Sequence, residues 1–349
     1  MNDMAYQRHA GIELFRIVMM FGICMVHACR QGQFARHDAF TAILCASVVG
    51  FIFISGYFGV NFKLSKVIEM YLLSFFYCSI VPIIGGGYKD GYVNAVFVTW
   101  GAQWRFWFLH AYVILLAISP MINCVFKTST ESQRMVVEKA LPILFVVFVW
   151  GWLTSFPSLD MIVPRPAGMT GTGFLTMLGI YVAARLFKIC EIEKRFSLRS
   201  LLMWLFLTLG IYCLLGQRCS PYMCPVAFVL VAILFCLFKR IRLYGKIGKV
   251  ILWISPSMFG IYILNATLYL PGMSSNVYGL LNAVRDPLLT AGIKWHLACL
   301  IAASSAFFLS LLVDVVRRLV LCRVTLKKAL LDQKLNELYD YIVEKFARL

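Results

Sequence analysis

Glu13, Arg16 and His27 stand in the otherwise apolar stretch ELFRIVMMFGICMVH. A charged side chain at mid-bilayer depth costs from about 2.5 to more than 10 kcal/mol, so such groups turn inward, pair and mark functional paths. The eleven-residue step from Arg16 to His27 is about 1100° of helical rotation, some 20° past three full turns, and about 16 Å of rise. Both side chains therefore share one face. Glu13 precedes Arg16 by three positions, within reach for an ion pair. Glu13, Arg16, Met20, Cys24 and His27 then form one stripe, polar at both ends. Imidazole, with a reference pKa of about 6.5, can accept a hydroxyl proton at neutral pH. A histidine at a span end and a structural Glu-Arg pair would look the same, so the stripe alone leaves both readings open.

The elements that position this stripe follow from composition. The chain has 349 residues, of which 61% are hydrophobic, and a mean hydropathy of +0.81. That leaves too little polar surface for a soluble domain and implies an integral membrane protein. The formal charge of +17 could suggest nucleic acid, but these basic residues punctuate apolar runs rather than cluster on polar surface. Runs long enough to cross a bilayer lie near 11–29, 39–58, 67–86, 105–126, 140–157, 172–188, 200–217, 219–238, 250–270 and 295–316. The expected fold is an all-α polytopic bundle of about ten transmembrane helices. Residues 91–104 are too short to span and read as interfacial or re-entrant.

With the N-terminus inside, the inner segments carry about three times as many Lys and Arg as the outer ones, which places both termini in the cytoplasm. The first span reads as an uncleaved anchor. Residues 1–316 form the membrane domain. The tail 317–349 places Leu331, Leu335, Leu338 and Ile342 on one stripe beside abundant charge, as in a helix lying on the inner membrane surface. Two longer outer segments, 158–171 and 271–294, read as connectors or as the rim of a substrate mouth. The twelve cysteines show no metal-ligand spacing and read as small buried hydrophobes. Cys219 and Cys224, close to the outer face, leave a disulfide open.

Four segments in order carry a resemblance: Arg16, ten residues, then His27; FISGYF at 53–58; WFLHAYVILLAISPMIN at 107–123; and MFGIYILNATLYL at 258–270. Together they resemble the family-3 membrane acyltransferases, which modify bacterial cell-surface glycans. The resemblance covers essentially the whole chain. One departure stands out: where the family often has His after Gly-Ile-Tyr-x-x, this chain has Asn265. Asn donates and accepts hydrogen bonds but carries no proton at neutral pH.

The resemblance implies an O-acyltransferase of the bacterial cytoplasmic membrane. It would move an acyl group, most simply acetyl from acetyl-CoA, to a hydroxyl of a surface glycan or lipid-linked saccharide. Acyl transfer needs a base near the hydroxyl, positive charge near the developing oxyanion and exclusion of water. His27 is then the base. Arg16 holds the pantetheine arm or stabilises the thioester carbonyl, with Glu13 and Asn265 in support. Ser55, Gly56, Lys63 and Lys66 become donor contacts, although Lys63 and Lys66 would look alike as positive-inside residues. No permanent cofactor or metal is implied; acyl-CoA is a co-substrate. Trp104 and Trp107 suit sugar stacking or an interfacial belt, and His110 and His296 could supplement His27 but read rather as interfacial. Cys24 could carry an acyl group but suits packing. A transporter or flippase of glycan intermediates is the alternative, though no inverted repeat is visible.

Overall fold

A computed structural model describes residues 9–30, 34–60, 62–84, 107–126, 174–222, 224–267 and 279–321, with 142, 146, 148–149, 333–334 and 337. Among these residues all regular structure is helical. The helices are α1 (Ala10–Arg30), α2 (Ala39–Phe58), α3 (Leu64–Ile84), α4 (Trp107–Val125), α5 (Phe174–Ile189), α6 (Leu198–Leu215), α7 (Pro225–Arg240), α8 (Gly245–Ile254), α9 (Met258–Thr267), α10 (Gly279–Thr290) and α11 (Trp295–Leu321). Five described segments are long and apolar enough to cross a membrane: Ala10–Arg30, Ala39–Phe58, Leu198–Cys219, Gly245–Asn265 and Trp295–Val320.

Every expected span except 140–157 falls on a described helix, but several differ from the continuous rods expected. The 250–270 span is two helices, because Ser255–Ser257 form a 3-10 turn around Pro256, which has no N–H to offer the helical ladder. The 219–238 span begins only at Pro225, a favourable first helical position, after a 3-10 turn over Gly216–Cys219. Within 271–294, read from sequence as a connector or the rim of a substrate mouth, residues 279–290 form α10, which buries Leu281 and Arg285. The interfacial segment 91–104, most of 140–157, the outer segment 158–171 and the tail leucine stripe lie outside the described residues.

α1 is the hub, packing against α2, α7, α8, α9, α10 and α11. Its apolar residues run round the whole helix, as a surrounded helix requires. A Cβ on Gly22 would collide with Ser47, and one on Gly50 with Met19, so these glycines let α1 and α2 approach closely.

The two ends of the bundle differ in charge. At the Ala10 end, Tyr57 hydrogen-bonds Glu193 and Lys239, and Lys239 pairs with Glu193 at 3.0 Å. Lys188 and Arg240 stand in the last turns of α5 and α7 there, Arg242 follows α7, and Lys246 and Lys249 lie in the first turns of α8. At the other end Arg30 Nη2 donates to Gln217 Oε1 at 2.6 Å. Gln217 Nε2 in turn donates to the Asp38 carbonyl and to Thr41 Oγ1, both at 2.9 Å, beside the capping box that starts α2. Gln217 thereby ties α1, α2 and α6 together.

Candidate active site

α1 turns Arg16, Met20, Ile23 and His27 onto the wall of a cavity of about 430 Å³. Opposite them stand Ser55 from α2, Lys66 from α3, Phe108 and Tyr112 from α4, and Met258 and Tyr262 from α9. The face expected from helical spacing thus opens on one cavity, but two members of the stripe lie elsewhere. Cys24 is fully buried in the packing between α1 and α11. Glu13, 5% exposed, reaches the site only through Arg16, whose Nη1 donates to its Oε2 at 2.7 Å. That carboxylate offsets much of the cost of holding the guanidinium within the membrane.

His27 Nδ1 lies 2.7 Å from Asn265 Nδ2, and Asn265 is 2% exposed. The residue that departs from the family pattern is therefore in direct contact with the imidazole. Among the described residues Asn265 Oδ1 is buried and has no hydrogen-bond partner. Turning the amide by 180° about its last torsion places Oδ1 on Nδ1, which fixes the proton there and makes Nε2 the unprotonated nitrogen. In that arrangement asparagine sets the tautomer of the imidazole, as the third residue does in Cys-His-Asn sites.

The donor residues expected from sequence divide. Lys66 and Ser55 line the cavity. Ser55 Oγ donates to the Phe51 carbonyl at 3.1 Å and meets Tyr112 Oη at 3.1 Å, so the phenol is the donor in the second contact. Gly56 points away: a Cβ there would collide with the Tyr181 carbonyl and Ala184 of α5. Lys63 is exposed just before α3 and does not line the cavity. Trp107 lines it, stacked on Tyr222 at 5.6 Å and 19°. His110 meets the Tyr71 hydroxyl at 3.1 Å, and His296 packs edge-on against Phe40. Neither lines the cavity. Trp104 lies outside the described residues.

The sequence reading missed a second buried ion pair. Arg317 also lines the cavity; its Nη2 and Nε donate to Asp314 Oδ1 at 2.9 and 3.1 Å, and its Nε to Tyr77 Oη at 3.0 Å. Tyr77 itself donates to Asp314 at 2.6 Å. A Cβ on Gly260 would collide with this carboxylate, which gives the glycine of MFGIYILN a packing role. The signal was present: DVVR at 314–317 repeats the carboxylate-x-x-Arg spacing of ELFR at 13–16. Among the described residues no group of three or more His, Cys, Asp or Glu could hold a metal ion.

The cavity therefore joins two chemistries. Arg16, Lys66 and Arg317 gather cations toward the Ala10 end, and His27 with Asn265 holds an imidazole nearer the other. A family model described as an acyltransferase domain matches residues 9–315. No curated protein and no solved structure matches.

Proposed function

The chain belongs to the family-3 acyltransferases, and on that premise we propose a bacterial inner-membrane O-acyltransferase that moves an acyl group, most simply acetyl, from coenzyme A to a hydroxyl of a cell-surface glycan or lipid-linked saccharide. Multiple apolar helices and the family make it a multi-pass membrane acyltransferase. The donor, the acceptor and the direction are the proposal. The observation that carries them is the cavity that unites a cationic end with an imidazole end.

The Ala10 end faces the cytoplasm, in keeping with its excess of Lys and Arg. Acyl-CoA enters there, with its phosphates against Arg317 and Lys66 and its pantetheine arm passing Arg16. The helical rise of about 16 Å from Arg16 to His27, and the lean of helical side chains toward the N-terminus, favour the arm over the thioester carbonyl as the partner of Arg16. The acceptor hydroxyl approaches His27 from the outer side. As His27 Nε2 takes its proton, the oxygen attacks the thioester carbonyl carbon. The C–S bond then breaks, and the proton passes to the departing thiolate. The apolar wall of Met20, Ile23, Phe51, Phe108 and Phe259 limits water, the competing acceptor.

Expression in a bacterial host that makes a suitable surface glycan tests this reading. NMR of the purified glycan should show new ester-linked acyl groups that mild base removes. An unchanged glycan whose export rate is altered would overturn the acyltransferase reading in favour of a carrier.

A further inference from the structure

Cys29, in the last turn of α1, and Cys299, in the second turn of α11, are both free, fully buried and packed in one apolar cluster where the two helices meet. Cys299 Sγ also approaches the Ala28 carbonyl at 3.6 Å, the same oxygen that accepts Arg285 Nη1 at 2.7 Å. A second pair lies at the same end of the bundle. Cys219 closes the 3-10 turn after α6, Cys224 precedes α7, and the chain folds back so that Cys224 N donates to the Pro221 carbonyl at 2.9 Å. These two thiols are also free and fully buried in one apolar cluster.

We propose that Cys29–Cys299 and Cys219–Cys224 are two disulfide sites at the outer end of the bundle. All four sulfurs lie opposite the end rich in Lys and Arg, so the inference rests on the orientation proposed above. It concerns covalent structure rather than activity. Two free thiols packed in the same buried cluster can close to the roughly 2.05 Å bond of a disulfide, and such bonds form and persist in compartments outside the cytoplasm. The pairing also has a structural logic. Cys29–Cys299 would join the first and last described helices of the bundle two residues beyond His27.

The oxidant is an external disulfide, of the kind a thiol–disulfide oxidoreductase carries. A thiolate of the pair attacks one of its sulfurs, and the second cysteine then displaces that mixed disulfide. Two protein thiols lose two protons and two electrons, and the external disulfide leaves as two thiols. Because all four sulfurs are buried, this exchange belongs to membrane insertion, before α11 closes over α1.

The test is thiol trapping. Cells expressing the full chain are treated with N-ethylmaleimide before lysis, and the protein is denatured in excess reagent and weighed by mass spectrometry. Four of the twelve cysteines should stay unlabelled until a reductant is added, and digestion should give one peptide pair linked through Cys29 and Cys299. In Cys29→Ser, Cys299 should label without reductant while Cys219 and Cys224 remain protected. If that variant fails to accumulate, the linked wild-type peptides decide. Labelling of all twelve without reductant would overturn the proposal. This readout does not depend on the glycan, so it can fail while the acyltransferase reading stands, and the reverse.

Discussion

Arg16 and Arg317 stand on the wall of one cavity, each held by a carboxylate three residues earlier on its own helix: Glu13 at 2.7 Å and Asp314 at 2.9 Å. The two pairs come from opposite ends of the chain and solve the same problem. A guanidinium in a membrane protein needs a counter-charge when no ligand is present, and one supplied from its own helix keeps the cation in place for an anion that comes and goes.

If these cations receive the donor, Arg317→Met should raise KM for acyl-CoA by about 10- to 100-fold, the loss expected for a hydrogen bond to a charged group. Its effect on kcat should be smaller, since the side chain meets the part of the donor that does not react. Steady-state kinetics in detergent or nanodiscs would measure the split. A fall in kcat at unchanged KM would place Arg317 at the chemistry instead.

Asn265 should behave as a positioning residue. Asn265→Ala removes the partner of His27 Nδ1, and kcat should fall by about 10- to 100-fold, less than the roughly 100- to 10,000-fold contribution of a general base because the imidazole itself remains, while KM for acyl-CoA stays within about threefold. Asn265→His keeps a side chain that can hydrogen-bond the imidazole and should recover most of the activity. Equal losses for both variants would make the position a matter of packing.

Gly260 and Gly56 separate site architecture from helix packing. Gly260→Ala pushes on the Asp314 carboxylate and so should raise KM for acyl-CoA as Arg317→Met does. Gly56→Leu forces α2 away from the Tyr181 carbonyl and should cost about 1 to 3 kcal/mol or more, as overpacking does. Thermal unfolding of the solubilised protein would register Gly56→Leu chiefly as lost stability, with the KM of the surviving fraction unchanged.

Ser55→Ala should be mild, with kcat/KM reduced by less than about tenfold. The hydroxyl is already engaged by the Phe51 carbonyl and Tyr112, so its loss frees one phenol rather than an anion contact. A larger loss, confined to KM for acyl-CoA, would instead show Ser55 meeting the donor directly.

Much of this site was legible in the sequence because helical periodicity is rigid. Arg16 and His27 had to share a face, and hydrophobic runs located most of the helices. What was not legible depended on partners distant in the chain. The side of α2 that Gly56 presents to α5 is set by packing, so proximity to Ser55 in sequence said nothing about proximity to the cavity. Arg285 carried the same charge signal as an exposed loop arginine, yet it is fully buried against the Ala28 carbonyl. Arg317 was hidden by its neighbours: in a run of basic residues closing the last span it looked like topology, and only Asp314 three residues earlier marked it as paired.

If His27 takes the proton of an acceptor hydroxyl, His27→Gln should block ester transfer, because the amide is polar but cannot serve as a base. The measurement is the ester content of the surface glycan, by NMR, in cells carrying wild type or variant at equal membrane levels. Wild type should give esterified glycan and His27→Gln a loss of at least about 100-fold, within the usual contribution of a general base. Full ester content with the variant would contradict it.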